Sequence, residues 1–261
     1  MVTFTKSLLA VAVMTTFGVA NSATYSTDKE LTDKIFTENI TAINGATVKV
    51  LGEEITAKQF TATNHSDHVS GKYTYNQSKV MLGDADTKKI TINNSSKGFV
   101  SGLAVNGPGN RDFAGSQIHV TTKDLEIVLH SEDDYVYGVY AMNASDDRRD
   151  DNSSMIEGAK ETAKVVINAE NTWITASADT AIDPDYKEHR AIGIVAMSEG
   201  EVEINGNLFV DADTAVLARG KAVVNINKDK KADTIVQLNG DINFNYQKQT
   251  SGTGVGREIW T

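Results

Sequence analysis

Four short blocks recur in this chain: Gly102-Leu-Ala-Val105, Gly138-Val-Tyr-Ala141, Gly193-Ile-Val-Ala196 and Ala215-Val-Leu-Ala218. Each joins a small residue to apolar ones, and each lies near a run of alternating apolar and polar residues. Lys89-Ile-Thr-Ile92 precedes the first, Asp124-Leu-Glu-Ile127 the second and Lys164-Val-Val-Ile167 the third. Alternation with period two marks strands with one buried face. A meander of hairpins has no use for a repeated small-residue block. A chain that winds round an axis does, because equivalent positions then stack and a small residue lets backbone approach the core.

The same logic settles how to read Asn205-Gly206, which sits between Val202-Glu-Ile204 and Leu208-Phe-Val210. Taken alone, Asn-Gly between alternating runs is a two-residue hairpin turn. Within a winding chain, Asn205-Gly206 and Asn239-Gly240 become corners, where a positive φ and a side-chain hydrogen bond are useful. The intervals between the small residues are unequal, so the repeat is one of elements with insertions rather than of fixed period. The expected fold is all-β, a right-handed parallel β-solenoid with irregular loop insertions. It should have about 8 to 11 rungs of roughly 20 to 25 residues. Its alternative is a β-sandwich or barrel. Candidates for interior or inter-rung contacts are Val165, Ile167, Ile194, Ile204, Val216, Leu217, Ile226 and Ile235.

The ends are read separately. Lys6 followed by Leu8-Leu-Ala-Val-Ala-Val-Met14 has the charge and apolar length of a secretory signal, and Ala20-Asn-Ser22 fits a small-x-small cleavage rule. Cleavage is expected after Ser22, with Ala20 and Ala23 as alternatives, so that 1–22 is a signal peptide. The apolar run is too short for the roughly 20 residues of a membrane span. Thr27-x-x-Glu30 resembles a capping box, which predicts a helix from Asp28 to Thr37 that lays Leu31, Ile35 and Phe36 over the first rung. Residues 23–84 are then an N-terminal cap with the first rungs, 85–246 the solenoid, and 247–261 an uncapped or truncated tail. Two loop insertions are expected to protrude, the acidic run 145–158 and the Pro184 segment 183–190.

The chain has no cysteine and a net charge of −10, and loss of Lys6 with the signal makes it more acidic. Nucleic acid and anionic lipid both call for clustered Lys and Arg, so neither is an expected partner. Absence of cysteine in a large secreted chain points to bacterial export.

Together the signal, the lack of cysteine and the Asn/Thr/Gly-rich strand runs resemble the passenger region of a bacterial autotransporter. "GVYAMN" and "GIVAMSEGEVEINGNLFVDADTAVLARGKAVVNI" carry the likeness, over roughly residues 85 to 245. It implies a β-helical, adhesin-like, non-enzymatic surface or secreted protein, here without the membrane barrel such proteins carry. A host or cell-surface protein or glycan is then the expected partner, with edge-to-edge self-association and no membrane insertion by this segment. The alternative is a carbohydrate-active β-helix enzyme of the calcium-dependent polysaccharide lyase kind.

Catalytic and ligand-binding signals are weak. No Gly-x-Ser-x-Gly elbow is present. Glu53-Glu54, Asp133-Asp134, Asp146-Asp147 and Asp150-Asp151 are adjacent carboxylates, which on a strand face opposite ways. His65 and His68 would share a face only on a helix. His119, His130 and His189 are isolated. Tyr135, Tyr137 and Tyr140 form an aromatic group that either packs or stacks on sugars. No catalytic, cofactor-binding or metal-binding residue is assigned, and no cofactor is expected.

Overall fold

The structure, a computed structural model, describes residues 22–63, 66–69, 72–75, 77–105, 115–142, 163–183, 189–197, 200–220, 222–228, 233–249 and 255–259. These residues are all-β, with no helix among them, and a sheet of parallel strands winds round a common axis. The windings form three stacks. The first holds β2 (Lys29–Leu31), β4 (Thr47–Val50), β9 (Lys79–Leu82), the starts of β12 (Gln117–Ser131), β14 (Lys164–Ala178) and β16 (Glu201–Arg219), and then β17 (Val223–Ile226). The second begins at Ile35, bridged to Thr56. It continues through β5 (Glu54–Ala57), β10 (Lys89–Ser96), the later parts of β12 and β14, the middle of β16 and the start of β18 (Val236–Gln249).

The third stack runs from β1 (Ser22–Tyr25) through β3 (Asn39–Ala42), β6 (Gln59–Ala62), β11 (Val100–Val105), β13 (Val136–Met142) and β15 (Ala191–Met197). It ends on the last part of β16 and the continuation of β18. The chain visits first, second and third stack in that order seven times among the described residues, and β16 alone makes one whole circuit. Seven circuits among the described residues are fewer than the roughly 8 to 11 expected, because some circuits are longer than the roughly 20 to 25 residues anticipated for a rung. The first-stack register moves from Lys29 to Val48 in one circuit but from Ile118 to Val165 in another.

Residues 66–69 and 72–75 pair as a separate antiparallel hairpin, β7 and β8, within one long interval. β19 (Val255–Ile259) pairs antiparallel with the end of β18.

In the first and second stacks each strand shows one face to the interior and keeps the alternating pattern that a sheet covered on both faces loses. In the third stack, by contrast, β11 and β15 are buried on both faces. In the first stack Val48, Val80, Ile118, Val165 and Val202 succeed one another in register, all fully buried. In the second, Ile92, Ile127, Ile174 and Val210 do the same. Val165, Ile167, Ile194, Ile204 and Val216 lie in this core as expected, and Ile226 packs against it half-buried. Leu217 does not. It belongs to a second apolar cluster on the outward side of the third stack, with Ala104, Tyr140, Ile192 and Val195. Ile235 is 57% exposed, because Val236 takes the interior register position after Leu208 and leaves Ile235 on the outward side.

The small-residue blocks are the inward turn of the third stack. A Cβ on Gly102 would lie 2.7 Å from the Gly138 carbonyl oxygen and 2.8 Å from Ile127 Cγ2. At Gly138 it would collide with the Gly193 carbonyl and Ile174 Cγ2, and at Gly193 with Val210 Cγ1. The third stack thus rests its backbone directly on the branched tips of the second. Gly206 and Gly240, with φ of 108° and 134°, turn β16 and β18 between stacks. Asn205-Gly206 is a corner between parallel-paired segments and not a hairpin.

The expected helix from Asp28 to Thr37 is absent. Lys29–Leu31 is β2, and Leu31 and Phe36 are buried as interior residues of the first circuit. The Asp28 carboxylate accepts from the Thr47 backbone N–H at 2.8 Å and ties this segment to the next circuit. Tertiary stacking overrode the local capping signal. The proposed signal peptide, apart from Ser22, and the 145–158 run lie outside the described residues. Of 183–190, Asp183, His189 and Arg190 are described, and both ends are held: Arg190 donates its N–H to the Ala181 carbonyl, and its own carbonyl accepts from Val136.

Two substitutions test this packing. Gly138→Ala should cost about 2–4 kcal/mol in urea unfolding, because the displaced groups are backbone and a packed isoleucine. Gly98→Ala, with nothing near its Cβ, should change stability by less than about 0.5 kcal/mol. Thr172 stands in the second-stack core between Leu125 and Leu208, fully buried, with an unpartnered hydroxyl. Thr172→Val should raise stability by about 1–2 kcal/mol in the same measurement.

Candidate functional site

The outward faces of the stacks carry the chemistry that remains. Along the second stack, Asn171 Nδ2 donates to Asp124 Oδ1 at 2.8 Å, Asn207 Nδ2 donates to Asn171 Oδ1 at 2.9 Å, and the Ile235 N–H donates to Asn207 Oδ1 at 2.8 Å. One hydrogen-bonded row therefore crosses four consecutive circuits. A parallel row runs at the corner with the first stack, where Asn205 Nδ2 donates to Asn168 Oδ1 at 2.9 Å and to Glu203 Oε1 at 3.2 Å. Such ladders follow from in-register stacking, which sets identical side chains one strand spacing apart. The next circuit closes the corner itself: Asn227 Oδ1 accepts from the Gly206 N–H, and Asn227 Nδ2 donates to the Gly206 carbonyl.

Between these rows lies a groove of about 510 Å³, lined by Thr122, Asn168, Glu170, Asn205, Asn207 and Asp233 among others. Two residues further along the strands, Trp173 and Phe209 occupy the same outward register and lie nearly parallel, with ring centroids 5.9 Å apart at 11°. Trp173 is 38% exposed. An aromatic surface thus borders a groove of fixed amides and carboxylates. Aligned by circuit, Asn171-Thr-Trp173 and Asn207-Leu-Phe209 coincide, and that alignment was the sequence signal that could have found the pair. Without the register, nothing singled out either ring.

On the first stack, Lys164 Nζ lies 3.1 Å from Glu201 Oε1 and 3.0 Å from Glu203 Oε2, all three side chains being about three-quarters or more buried. Burial works against the ammonium charge, yet hydrogen bonds to Glu203 and Glu201 hold Lys164 above the ordinary lysine value. The Lys164 and Asn205 hydrogen bonds hold the Glu203 carboxyl below the usual carboxylate range. Glu201 and Glu203, two residues apart, both point outward from one strand, which brings both within reach of Lys164.

The residues singled out from sequence do not converge. Glu53 pairs with Lys88, whose hydrogen bond lowers its carboxyl pKa, while Glu54 is an exposed strand residue. Asp134 Oδ1 accepts from the Tyr135 N–H in a turn. Asp146-Asp147 and Asp150-Asp151 lie outside the described residues, as does His65. His68 is on β7. His119 Nε2 meets Gln117 Oε1 at 3.0 Å, His130 Nδ1 meets Ser177 Oγ at 3.1 Å, and His189 Nε2 lies 3.6 Å from Asp241 Oδ2. Among the described residues, no group of three or more His, Asp or Glu could hold a metal ion.

The tyrosines do come together, with Tyr137 5.2 Å from Tyr140 and 5.8 Å from Tyr135, and Phe99 edge-on to Tyr137. Tyr140 is buried in the outer cluster, donates to Met142 Sδ, and has its phenol pushed up to about 12 by that burial. For Tyr140 the role is packing.

No family model, curated protein or solved structure matches this chain.

A lowered carboxylate pKa adds stability above the ordinary value and loses it as pH falls through the lowered one. A raised lysine pKa adds stability below its ordinary value and loses it as pH rises through the raised one. The Lys164 cluster should therefore be fully stabilising between pH 4.5 and 10.5. Lys164→Gln should lower stability at pH 7 by about 1–2 kcal/mol. In urea melts at pH 3 that difference should shrink towards zero.

Proposed function

We propose that the chain is a right-handed parallel β-solenoid that works as an exported bacterial surface or secreted interaction protein, adhesin-like and non-enzymatic. It resembles an autotransporter passenger. The ordered repetition of three stacks in parallel register supports the solenoid reading over a sandwich, whose sheets are antiparallel. The N-terminal charge and apolar run support export, and the acidic balance leaves nucleic acid and anionic lipid as poor partners.

One observation carries the binding role: the stacked Trp173–Phe209 pair, with Trp173 exposed and Phe209 half-buried, stands near an amide-lined groove. Large aromatics left partly in water are the usual anchors of interfaces, and they also stack on sugar rings. The amides are held by one another, so the polar surface is already organised before a partner arrives. Such preorganisation reduces the entropy cost of association. The partner is a protein or glycan of a cell surface.

The test expresses the chain with its own N-terminus in a bacterial host and probes the exported product on immobilised glycans and cultured cell surfaces. Binding should fall tenfold or more in Trp173→Ala/Phe209→Ala, with the melting transition shifted only slightly. Retention in the cytoplasm, or equal binding by that variant, would refute the reading. Turnover of polyuronates in calcium would replace it with the lyase alternative.

A further inference from the structure

The aromatic pair does not stand alone. Val128 and Trp173 are among the large apolar side chains left exposed, and both lie on the outward face of the second stack. Val128 is one circuit before Trp173 and two residues further along, opposite Thr175. Phe209 continues the Trp173 position into the next circuit. The shape of this patch favours a protein over a glycan. A sugar ring stacks on an open aromatic face, but Trp173 and Phe209 turn one face of each ring to the other. Beyond the pair on either side, Glu126 and Gln237 hold the same register position. What is left for a partner is ring edges and the branched tip of Val128, an apolar contact without a platform.

Charge narrows the partner further. Phe209, Asp211 and Asp213 alternate along β16, so two exposed carboxylates continue the line of the ring on the outward face. Asp211 Oδ1 accepts from the Asn239 amide at 2.6 Å, which fixes that carboxylate in place. Among the described residues, no lysine or arginine pairs with Asp211 or Asp213. On the other side of the rings the balance differs: Lys89 Nζ lies 2.7 Å from Glu126 Oε2 and is in register with Asp124. The unmatched charge is therefore at the Asp211 end. At about 3.3 Å per residue, Asp211 and Asp213 lie roughly 7 and 13 Å along the strand from Phe209. A second copy of this acidic chain would bring like charge to like.

Resting on the reading of this site as a binding surface, we infer that its partner is an extended basic segment of another protein. An apolar side chain of that segment seats on Val128, Trp173 and Phe209. An Arg or Lys a few residues along it pairs with Asp211 and Asp213. The carboxylates adjoin apolar side chains, and a pair sheltered from water there gains more than one on an open surface. Period-two alternation on both sides matches the spacing: a strand that points an apolar side chain at Phe209 points its second neighbour at Asp211.

Trp173 reports on its own occupancy. The chain has two tryptophans, and Trp260→Phe leaves Trp173 as the only one. In that chain, a peptide repeating Arg-Gly-Leu-Gly should shift the Trp173 emission, with an affinity that falls about tenfold between low and high salt. Its Glu-Gly-Leu-Gly counterpart and neutral mannan fragments should leave the emission unchanged. Asp211→Asn/Asp213→Asn, which keeps an acceptor for the Asn239 amide, should weaken the Arg peptide about fivefold to tenfold. Glu30→Gln/Asp33→Asn removes the same charge from the first circuit and should weaken it less than about twofold. An emission that the Arg peptide leaves unshifted, an equal response to the Glu peptide, or equal losses in the two double variants overturns the inference. A response to mannan without one to the Arg peptide also overturns it, yet leaves the binding role in place. That role falls on a different result, cell-surface binding that survives Trp173→Ala/Phe209→Ala.

Discussion

The contact of third-stack backbone with second-stack branched side chains sets the cross-section of the whole molecule. Gly102, Gly138, Gly193 and Ala215 lie in one column, and Ile127, Ile174 and Val210 press against it. A side chain in that column would push the third stack outward and break its register with the circuits above and below. Close packing transmits such strain instead of absorbing it. Small residues there allow Leu103, Val139, Ile194 and Val216 to fill the space beside them without a void. Everything outward of the column inherits its regularity.

Regular stacking is also what makes the surface. Side chains at one register position recur at the strand spacing, so amides pair with amides along Asp124, Asn171 and Asn207, and rings lie over rings at Trp173 and Phe209. The Lys164 cluster is the same effect with charge, since in-register Lys164 and Glu201 are opposite in sign. A surface of this sort is stiff and extended. It presents rows of polar groups beside the Trp173–Phe209 pair, the feature on which the proposed binding role rests.

The fold's weak places are where stacking stops. Thr172 interrupts the apolar column of the second stack with a hydroxyl that finds no partner. The last circuit repeats the interior pattern of its predecessors, yet Val236, Ile242 and Phe244 there are about half exposed and leave apolar surface in water. Patches of that kind on a folded protein mark contact surfaces or aggregation hazards. Which of the two applies depends on whether a specific partner covers them.

The sequence by itself determined the strands, their inward and outward faces and the small-residue column. These depend on period-two alternation and on volume at single positions, which are local properties. Val165, Ile167, Ile194 and Ile204 were legible as core for that reason. Local signals also misled: the Thr27-x-x-Glu30 box described a helix that β2 displaced, and Ile235 read as a packed residue while lying exposed at an outward register position. Only the tertiary structure decided which strands are neighbours, how many circuits there are and which surface residues meet. Parallel partners are separated by insertions of unequal length, such as those between Val48 and Val80 or Ile118 and Val165, and nothing in the chain marks where each circuit closes. The aromatic pair and the ion cluster are products of that register, so they stayed invisible until the stacks were aligned.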